Sequence, residues 1–267
     1  MSYQGIIFDV DGTVVREAEP IPGADEGLRA AADAGLDRAF LSNNPTARPA
    51  AYEERFAEAG FAVDAEEVFT AGTLTTRYLG DEHDDDALFV VGAEGLRTQL
   101  ADAGLSLTTE PRAADVVVGS LSYEFDYDTL CDAIIAVDDD TAFVGTDPDR
   151  VIPADGPDRP GSGAVINAIE GVVGRSVDVI CGKPSAAARR RVLDYLGVSP
   201  AACLVVGDRL NTDIELGADT GMTTVLVTTG ISDREDVAES PTTPDYVLDS
   251  LADLDAVIAG TADRYSG

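Results

Sequence analysis

Basic residues are scarce in this chain relative to acidic ones. Its 267 residues include 50 aspartates and glutamates but only 18 lysines and arginines, which gives a formal net charge of −32 at pH 7. Nucleic acid is therefore disfavoured as a partner, because its phosphate backbone is bound by basic patches. A disordered acidic chain is also excluded, because 45% of the residues are hydrophobic.

Cysteine and long apolar runs are sparse as well. The three cysteines are widely scattered without Cys-x-x-Cys spacing, which argues against a disulfide framework and against a structural zinc site. No apolar run approaches the ~18 residues of a transmembrane helix. The N-terminus has neither the basic region nor the apolar core of a signal peptide. We therefore expect a cytoplasmic protein without membrane association.

The acidic residues are spread along the whole sequence. An acidic face matched to a basic partner predicts a local cluster of acids instead. Self-repulsion of this size is tolerated in molar salt, where the Debye length falls to ~3 Å. We infer that the protein comes from a halophile that keeps high salt in its cytoplasm.

Apolar strands and amphipathic helices alternate along the chain. This alternation predicts an α/β fold with a mostly parallel sheet and helices on both faces. Among the early helices, one is predicted from residue 45 or 46 to about 60, and another over 73–79.

A polar break over 80–86, which contains the only histidine, His83, predicts a domain boundary. A second α/β series follows the break, and the first series resumes near residue 177. The predicted domains are therefore a discontinuous core, 1–80 with 178–267, and an insert, 81–177.

The first predicted strand ends in two carboxylates one residue apart, Asp9 and Asp11, followed by Gly12 and Thr13. Open α/β sheets bind ligands at the carboxyl ends of their strands, and a glycine lets the backbone approach a phosphate. One carboxylate can act as a nucleophile and the other as an acid and base, while a divalent cation relieves their repulsion. These residues alone also allow an unreactive Asp- and Gly-rich turn.

Three further predicted strands end in polar residues that complement this pair. Three or four acids around one cation suit Mg²⁺, and a lysine and a hydroxyl facing them suit a phosphoryl group. The residues are Ser42 with Asn43 and Asn44, Lys183, and Asp208 with Asp213.

Lys183 is the only lysine of the chain and lies between Gly182 and Pro184. Its compact ammonium can approach a carboxylate and a phosphoryl oxygen as a point charge, which a planar guanidinium fits poorly. The alternative interpretation is that Lys183 is a surface lysine without a functional role.

Together these motifs resemble the haloacid-dehalogenase (HAD) superfamily of phosphotransferases, whose four motifs occur here in the same order. A closer resemblance, to the class IIA branch of NagD-type and 4-nitrophenylphosphatase-like enzymes, covers nearly the whole chain. It implies a Rossmann-like core and a C2-type cap, an α/β lid formed by residues 81–177. The segments that carry this closer resemblance are 41–45, 145–149, 160–163, 182–184 and 207–214.

The resemblance implies a role for each motif residue. Asp9 corresponds to the nucleophile that forms an aspartyl-phosphate. Asp11 corresponds to the general acid that protonates the leaving alcohol and then activates water. Ser42, Asn43 and Lys183 correspond to the phosphate-binding positions.

The resemblance also implies a Mg²⁺ site. Its ligands correspond to Asp9, the backbone carbonyl of Asp11, and Asp208. The supporting positions correspond to Gly12, Thr13, Asn44 and Asp213.

These implications predict a Mg²⁺-dependent phosphatase for small phosphomonoesters such as 4-nitrophenyl phosphate, nucleoside monophosphates or sugar phosphates. A phosphate-accepting signalling module, or another HAD phosphotransferase with little hydrolytic turnover, is the alternative. Asp11 argues against it, because a second acid speeds hydrolysis of the acyl-phosphate. Class IIA enzymes pair through their caps, so a homodimer is a further expectation.

The predicted cap departs from the family at one position. Where the family usually has Thr-Asn-x-Asp, this chain has Asp147 in place of the asparagine. A substrate contact carried over from that position is therefore not assumed.

Overall fold

The computed structural model describes residues 3–153 and 156–266. Strands and helices alternate, and the predicted α/β fold with parallel sheets is confirmed. The strands are β1 Gly5–Asp9, β2 Val15–Arg16, β3 Glu19–Pro20, β4 Asp37–Ser42, β5 Val68–Thr70, β6 Ala87–Val91, β7 Ser106–Thr108, β8 Val116–Gly119, β9 Ala142–Gly145, β10 Val151–Ile152, β11 Arg159–Pro160, β12 Val179–Ile180, β13 Cys203–Gly207, β14 Thr223–Val227 and β15 Tyr246–Leu248. The helices are α1 Ala24–Asp33, α2 Pro49–Glu58, α3 Ala71–Glu82, α4 Glu94–Asp102, α5 Tyr127–Ala136, α6 Ser162–Val173, α7 Ala186–Leu196, α8 Glu215–Gly217, α9 Arg234–Glu239 and α10 Leu254–Ile258.

The chain divides into two compact units. The first contains the described residues up to Ser42, Pro49–Phe69, and the described residues from Ala188 onward. The second contains Asn43–Arg48 and the described residues of Thr70–Ala187. The division into core and cap at residues 80/81 and 177/178 stays a prediction.

A sheet with the order β15-β14-β13-β1-β4-β5 organises the first unit. β1 pairs in parallel with β13 on one side and β4 on the other. All five residues of β1 and of β13 are buried, as expected for apolar strands that are covered on both faces. The register sets Phe8 opposite Val206 and Asp9 opposite Leu41, so these three strands end at the same edge.

The second unit is built on another parallel sheet, with the order β12-β9-β8-β6-β7. Its central strand β8 is completely buried, and Val117 packs in one apolar cluster with Phe143, Ile166 and Ile169. Helices α5 and α6 contribute to this cluster.

Two predicted helix boundaries were wrong. Helix α2 begins at Pro49 rather than at residue 45 or 46, because the Asn44 side chain accepts hydrogen bonds from the backbone N–H groups of Thr46 and Ala47 and holds a turn there. Helix α3 runs through Gly80 to Glu82, so the polar break begins later than predicted. A helical glycine costs about 1 kcal/mol relative to alanine, and the buried α3 face containing Leu79 offsets this cost.

Some short elements had no predictable pattern. They include the hairpins β2–β3 and β10–β11, which contain only two residues in each strand. Among the described residues, no helix combines the length and apolar composition needed to cross a membrane.

Candidate active site

The parallel strands of the first unit bring three predicted carboxylates together. Asp9 is the last residue of β1, and Asp208 follows the last residue of β13. Asp213 lies in the short helical turn Leu210–Ile214 that comes next. The three side chains are buried, and each offers a carboxylate oxygen within 4.8 Å of the others.

Burial and mutual repulsion make this cluster costly to ionise. The pKa of Asp208 is raised to about 8, first by burial and then by the negative charges of Asp9 and Asp213. The backbone N–H of Ile231 donates a hydrogen bond to Asp208 Oδ2 at 2.8 Å and partly opposes that rise. The cluster therefore favours either a bound proton or a bound cation.

Neighbouring groups orient the other two carboxylates. Thr13 Oγ1 donates to Asp9 Oδ2 at 3.0 Å, and the Arg209 N–H donates to Asp213 Oδ2 at 3.0 Å. Both bonds are local, from residues four positions away along the chain. The tight turns that follow β1 and β13 thus orient the Asp9 and Asp213 carboxylates.

Two glycines allow the backbone to pass close to Asp208. Gly12 has a φ of +91°, and a Cβ there would lie 2.6 Å from Asp208 Oδ2. A Cβ at Gly230 would lie 1.8 Å from the same oxygen. A side chain at either position would collide with the carboxylate, and at Gly12 it would also strain the backbone.

Ser42, the last residue of β4, lies at the same edge of the sheet. Its Oγ is 2.8 Å from the hydroxyl of Tyr52, and both residues are buried. Burial, together with the nearby charge of Asp11, raises the pKa of Tyr52, so its hydroxyl stays neutral and can hydrogen-bond to Ser42. Tyr52 therefore fixes the position of the predicted phosphate-binding hydroxyl.

Asp11 has a different environment from Asp9. Its side chain is 54% exposed, and its Oδ1 lies 2.5 Å from the Arg55 guanidinium. Arg55 also donates from Nε to the carbonyl of Glu17, and its guanidinium carbon lies 5.6 Å from the centre of the Tyr52 ring. The structure does not place the Asp11 carboxylate in the buried cluster of Asp9, Asp208 and Asp213.

Lys183, Asn43 and Asn44 lie in the second unit, where Lys183 is buried. The Asn43 side chain binds the Lys183 backbone twice: Oδ1 accepts from the Lys183 N–H at 2.8 Å, and Nδ2 donates to the Lys183 carbonyl at 3.2 Å. Asn43 directly follows Ser42 in the chain. Its side chain thus holds the backbone of the chain's only lysine, while Asn44 shapes the turn that leads to α2.

The buried carboxylates fit a divalent cation. Three hard oxygen donors within 4.8 Å suit Mg²⁺, which binds through carboxylates and retains several waters. The pKa of Asp208 is raised first by burial and then by the charges of Asp9 and Asp213, and such a cation would offset both effects. Asp213 was predicted in a supporting role, and its position in the cluster makes it a candidate ligand as well.

Asp147 is buried inside the second unit. It accepts hydrogen bonds from Thr146 Oγ1 at 2.9 Å and from the Asp149 N–H at 3.2 Å. Burial, and then the charge of Asp149, raises its pKa to about 7. Asp147 is therefore an acid that is costly to ionise.

Sequence reasoning missed several residues that support the site. Tyr52 and Arg55 belong to no motif, although their i, i+3 spacing in the helix after Ser42 is a signal that could place both beside it. The segment around Thr229 had no recognisable motif. Thr229 Oγ1 donates to the Gly12 carbonyl at 2.6 Å, a contact between residues 217 positions apart.

The chain is similar to known proteins over most of its length. A family model described as haloacid dehalogenase-like hydrolase matches residues 6–106, and one for HAD-hydrolase-like proteins matches residues 180–254. The chain is 32% identical over 257 residues to the acid sugar phosphatase of Staphylococcus epidermidis, covering 96% of this chain and 97% of that protein.

Solved structures are also similar. A p-nitrophenyl phosphatase from Archaeoglobus fulgidus has a TM-score of 0.89 and 32% identity, with coverage of 96% of this chain and 100% of that one. NagD from E. coli K-12 has a TM-score of 0.84 and 29% identity, with coverage of 94% and 98%.

Proposed function

The chain belongs to the haloacid dehalogenase-like hydrolases, and on this premise we propose a Mg²⁺-dependent phosphatase that hydrolyses small phosphomonoesters through an aspartyl-phosphate. Its similarity to these phosphatases identifies the protein as a phosphoric monoester hydrolase of the NagD and nitrophenylphosphatase type. The metal ion, the covalent intermediate and the small substrate are the parts that we propose.

The observation that carries the proposal is the carboxylate cluster at one edge of the sheet. Asp9, Asp208 and Asp213 are buried within 4.8 Å of one another, an arrangement that favours a divalent cation. When bound, Mg²⁺ would supply positive charge that reduces the repulsion between a phosphoryl group and the acids. We assign Asp9, Asp208 and the backbone carbonyl of Asp11 as its ligands, with Asp213 beside them.

Asp9 and Asp11 perform the two halves of the proposed reaction. The Asp9 carboxylate attacks phosphorus, the bond from phosphorus to the alcohol oxygen breaks, and Asp11 gives its proton to that oxygen. Asp11 then removes a proton from a water molecule whose oxygen attacks the acyl-phosphate, which releases inorganic phosphate and restores Asp9. The hydrogen bond from Thr13 to Asp9 Oδ2 supports this role, because it orients the carboxylate that attacks phosphorus.

Ser42 and Lys183 bind the phosphoryl oxygens in this proposal. Tyr52 supports the role of Ser42 by fixing its hydroxyl. Asn43 contributes by fixing the Lys183 backbone through two hydrogen bonds. A hydroxyl and an ammonium offer the donors that a developing phosphoryl charge requires.

Residues 81–177 are proposed to form the cap that limits access to small substrates. Sugar phosphates are one such class, supported by the similarity to an acid sugar phosphatase. The proposed homodimer would form through this cap. Helix α5 supports this, because Tyr127 and Ile134, on one helical face, are 79% and 55% exposed.

The proposed halophilic origin rests on the charge of −32 and its even distribution. High salt would screen the mutual repulsion of the acidic surface. The alternative of a phosphate-accepting signalling module is disfavoured by the position of Asp11, two residues after Asp9.

Steady-state hydrolysis of 4-nitrophenyl phosphate in molar KCl, with and without Mg²⁺, tests the proposal. We expect turnover that requires Mg²⁺ and is abolished by Asp9→Asn. Asp25→Asn, which removes an exposed carboxylate from α1, is the matched control and should retain activity. Turnover that is independent of Mg²⁺, or that survives Asp9→Asn, would refute the proposal.

A further inference from the structure

Helix α2 connects two parts of the proposed reaction through two side chains one turn apart. Tyr52 contacts Ser42 through its hydroxyl, and Arg55 contacts Asp11 through its guanidinium. The same helix therefore reaches the predicted phosphate-binding hydroxyl and the predicted proton donor.

Arg55 is held from three directions. Its terminal nitrogen bonds Asp11 Oδ1, its Nε donates to the Glu17 carbonyl, and its guanidinium carbon lies 5.6 Å from the centre of the Tyr52 ring. The Arg55 side chain is 20% exposed, whereas that of Asp11 is 54% exposed. Arg55, the more buried of the two, thus presents a fixed guanidinium. The contact therefore restricts mainly the conformation of the more exposed Asp11 carboxyl group.

We propose that Arg55 is a positioning residue that orients the Asp11 carboxyl group for proton transfer to the leaving alcohol. The inference rests on the proposed function. Arg55 binds Oδ1, and the other carboxyl oxygen carries the proton. As the bond from phosphorus to the alcohol oxygen breaks, the proton moves to that oxygen, and negative charge develops on Asp11 beside the guanidinium.

Two physical effects follow from this arrangement. Orientation removes part of the entropic cost of bringing the proton to the leaving oxygen. The fixed positive charge stabilises the carboxylate that the transfer creates, at the moment when it forms. Both effects matter most for a leaving group that cannot depart without a proton.

A tether for the β2–β3 hairpin is the simpler role for Arg55. Glu17 lies between the two strands with a φ of 53°, and Arg55 bonds its carbonyl. A tether would lower the rate for every substrate by a similar factor. Proton transfer instead predicts a loss that depends on the leaving group, and this difference separates the two roles.

The test compares phenyl phosphate with 4-nitrophenyl phosphate. The two esters have similar shapes, but phenolate is the more basic leaving group and needs more protonation. The measured quantity is kcat/KM, which reports the phosphoryl-transfer step and excludes later hydrolysis of the acyl-phosphate. The proteins are wild type, Arg55→Gln, Arg55→Lys and Arg29→Gln. The last is the control, because Arg29 forms an exposed ion pair with Asp25 on α1.

We expect the fold loss of kcat/KM in Arg55→Gln to be at least about ten times larger for phenyl phosphate than for 4-nitrophenyl phosphate. This is part of the ~10²- to 10⁴-fold that general acid catalysis contributes. Arg55→Lys should show a smaller difference between the two esters than Arg55→Gln does. The lysine keeps the positive charge, but it has no fork to bind both Asp11 and Glu17. Arg29→Gln leaves both values unchanged. Circular dichroism melting checks that each variant is folded.

An equal loss for both esters, or no loss in a folded Arg55→Gln protein, overturns the inference. If Arg55→Gln does not fold, Arg55→Lys decides by the same ratio of the two losses. A wild-type protein that hydrolyses neither ester would refute the proposed function instead.

Discussion

The hydroxyl of Tyr52 lies 2.8 Å from Ser42 Oγ, and this buried contact joins helix α2 to the end of strand β4. One helical turn later, Arg55 contacts Asp11. Helix α2 therefore orders side chains at two points of the proposed site, although it carries none of the motif residues. The active-site edge depends on packing as well as on the motifs themselves.

Tyr52→Phe tests this dependence. The change removes the hydroxyl that fixes Ser42, and a buried hydrogen bond contributes about 1 kcal/mol. We expect KM for 4-nitrophenyl phosphate to rise several-fold with kcat little changed, because Ser42 binds the phosphoryl group before and during the reaction. Tyr195→Phe, at a partly exposed tyrosine of α7, should leave both constants unchanged. An unchanged KM in Tyr52→Phe would show that the contact is only structural.

Asp208→Asn tests the cation site through stability. In protein freed of metal by chelation, the change removes a carboxylate whose pKa is raised to about 8 by burial and by Asp9 and Asp213. We expect the metal-free variant to melt at a higher temperature than metal-free wild type near neutral pH. Added Mg²⁺ should raise the melting temperature of wild type but not of the variant.

Asp25→Asn provides the control for this measurement, because Asp25 is an exposed carboxylate on α1. It should respond to Mg²⁺ as wild type does. Equal stabilisation of wild type and Asp208→Asn by Mg²⁺ would place the cation elsewhere.

Asp147 predicts a pH-dependent stability. Its pKa is about 7 in the folded protein and 3.8 as an ordinary carboxyl group, so the unfolded chain releases the proton first as pH rises. The destabilising contribution of Asp147 therefore grows between about pH 4 and pH 7 and is constant above that range. Below about pH 4 the Asp147 carboxyl group is protonated in both the folded and the unfolded state, so its ionisation does not reduce the free energy of unfolding there.

Asp147→Asn removes this titration, but the amide has one accepting oxygen in place of the two that accept from Thr146 and Asp149. We expect the free energy of unfolding of wild type, relative to the variant, to fall by a few kcal/mol from pH 4 to pH 8, at about 1.4 kcal/mol per pKa unit. Urea unfolding at a series of pH values measures it. A difference that stays constant with pH would contradict the account.

The even acidic charge predicts stabilisation by salt. Molar KCl shortens the Debye length to ~3 Å and removes most of the repulsion among exposed carboxylates. The melting temperature should therefore rise throughout the molar range, with KCl and NaCl giving similar gains. A protein that is equally stable in dilute buffer would contradict the inferred halophilic origin.

The strand ends could be predicted from the sequence because each is a local signal. An apolar run followed by Asp9 or by Asp208 identifies both a strand and the polar residue that ends it. Parallel pairing then brings such ends to one edge, as the register of Asp9 with Leu41 shows. The boundaries of α2 and α3 were harder to predict, because a side-chain turn at Asn44 and the buried face of α3 that contains Leu79 override local helix preference.

Contacts that depend on distant parts of the chain could not be predicted. Ile231 donates to Asp208 across 23 residues, and Arg55 reaches Asp11 across 44. Neither residue belongs to a motif, and an arginine on an acidic helix is equally typical of a solvated face. Only the folded arrangement reveals their partners.

The central claim is that Asp9 receives the phosphoryl group. Its most direct test is peptide mass spectrometry after acid quenching of 4-nitrophenyl phosphate turnover in the first catalytic cycle, with Mg²⁺ in molar KCl. We predict one phosphoryl mass increment on the peptide that contains Asp9, greater in Asp11→Asn and absent in Asp9→Asn. Rapid turnover with no phosphorylated peptide, or with the increment on another residue, would contradict the account.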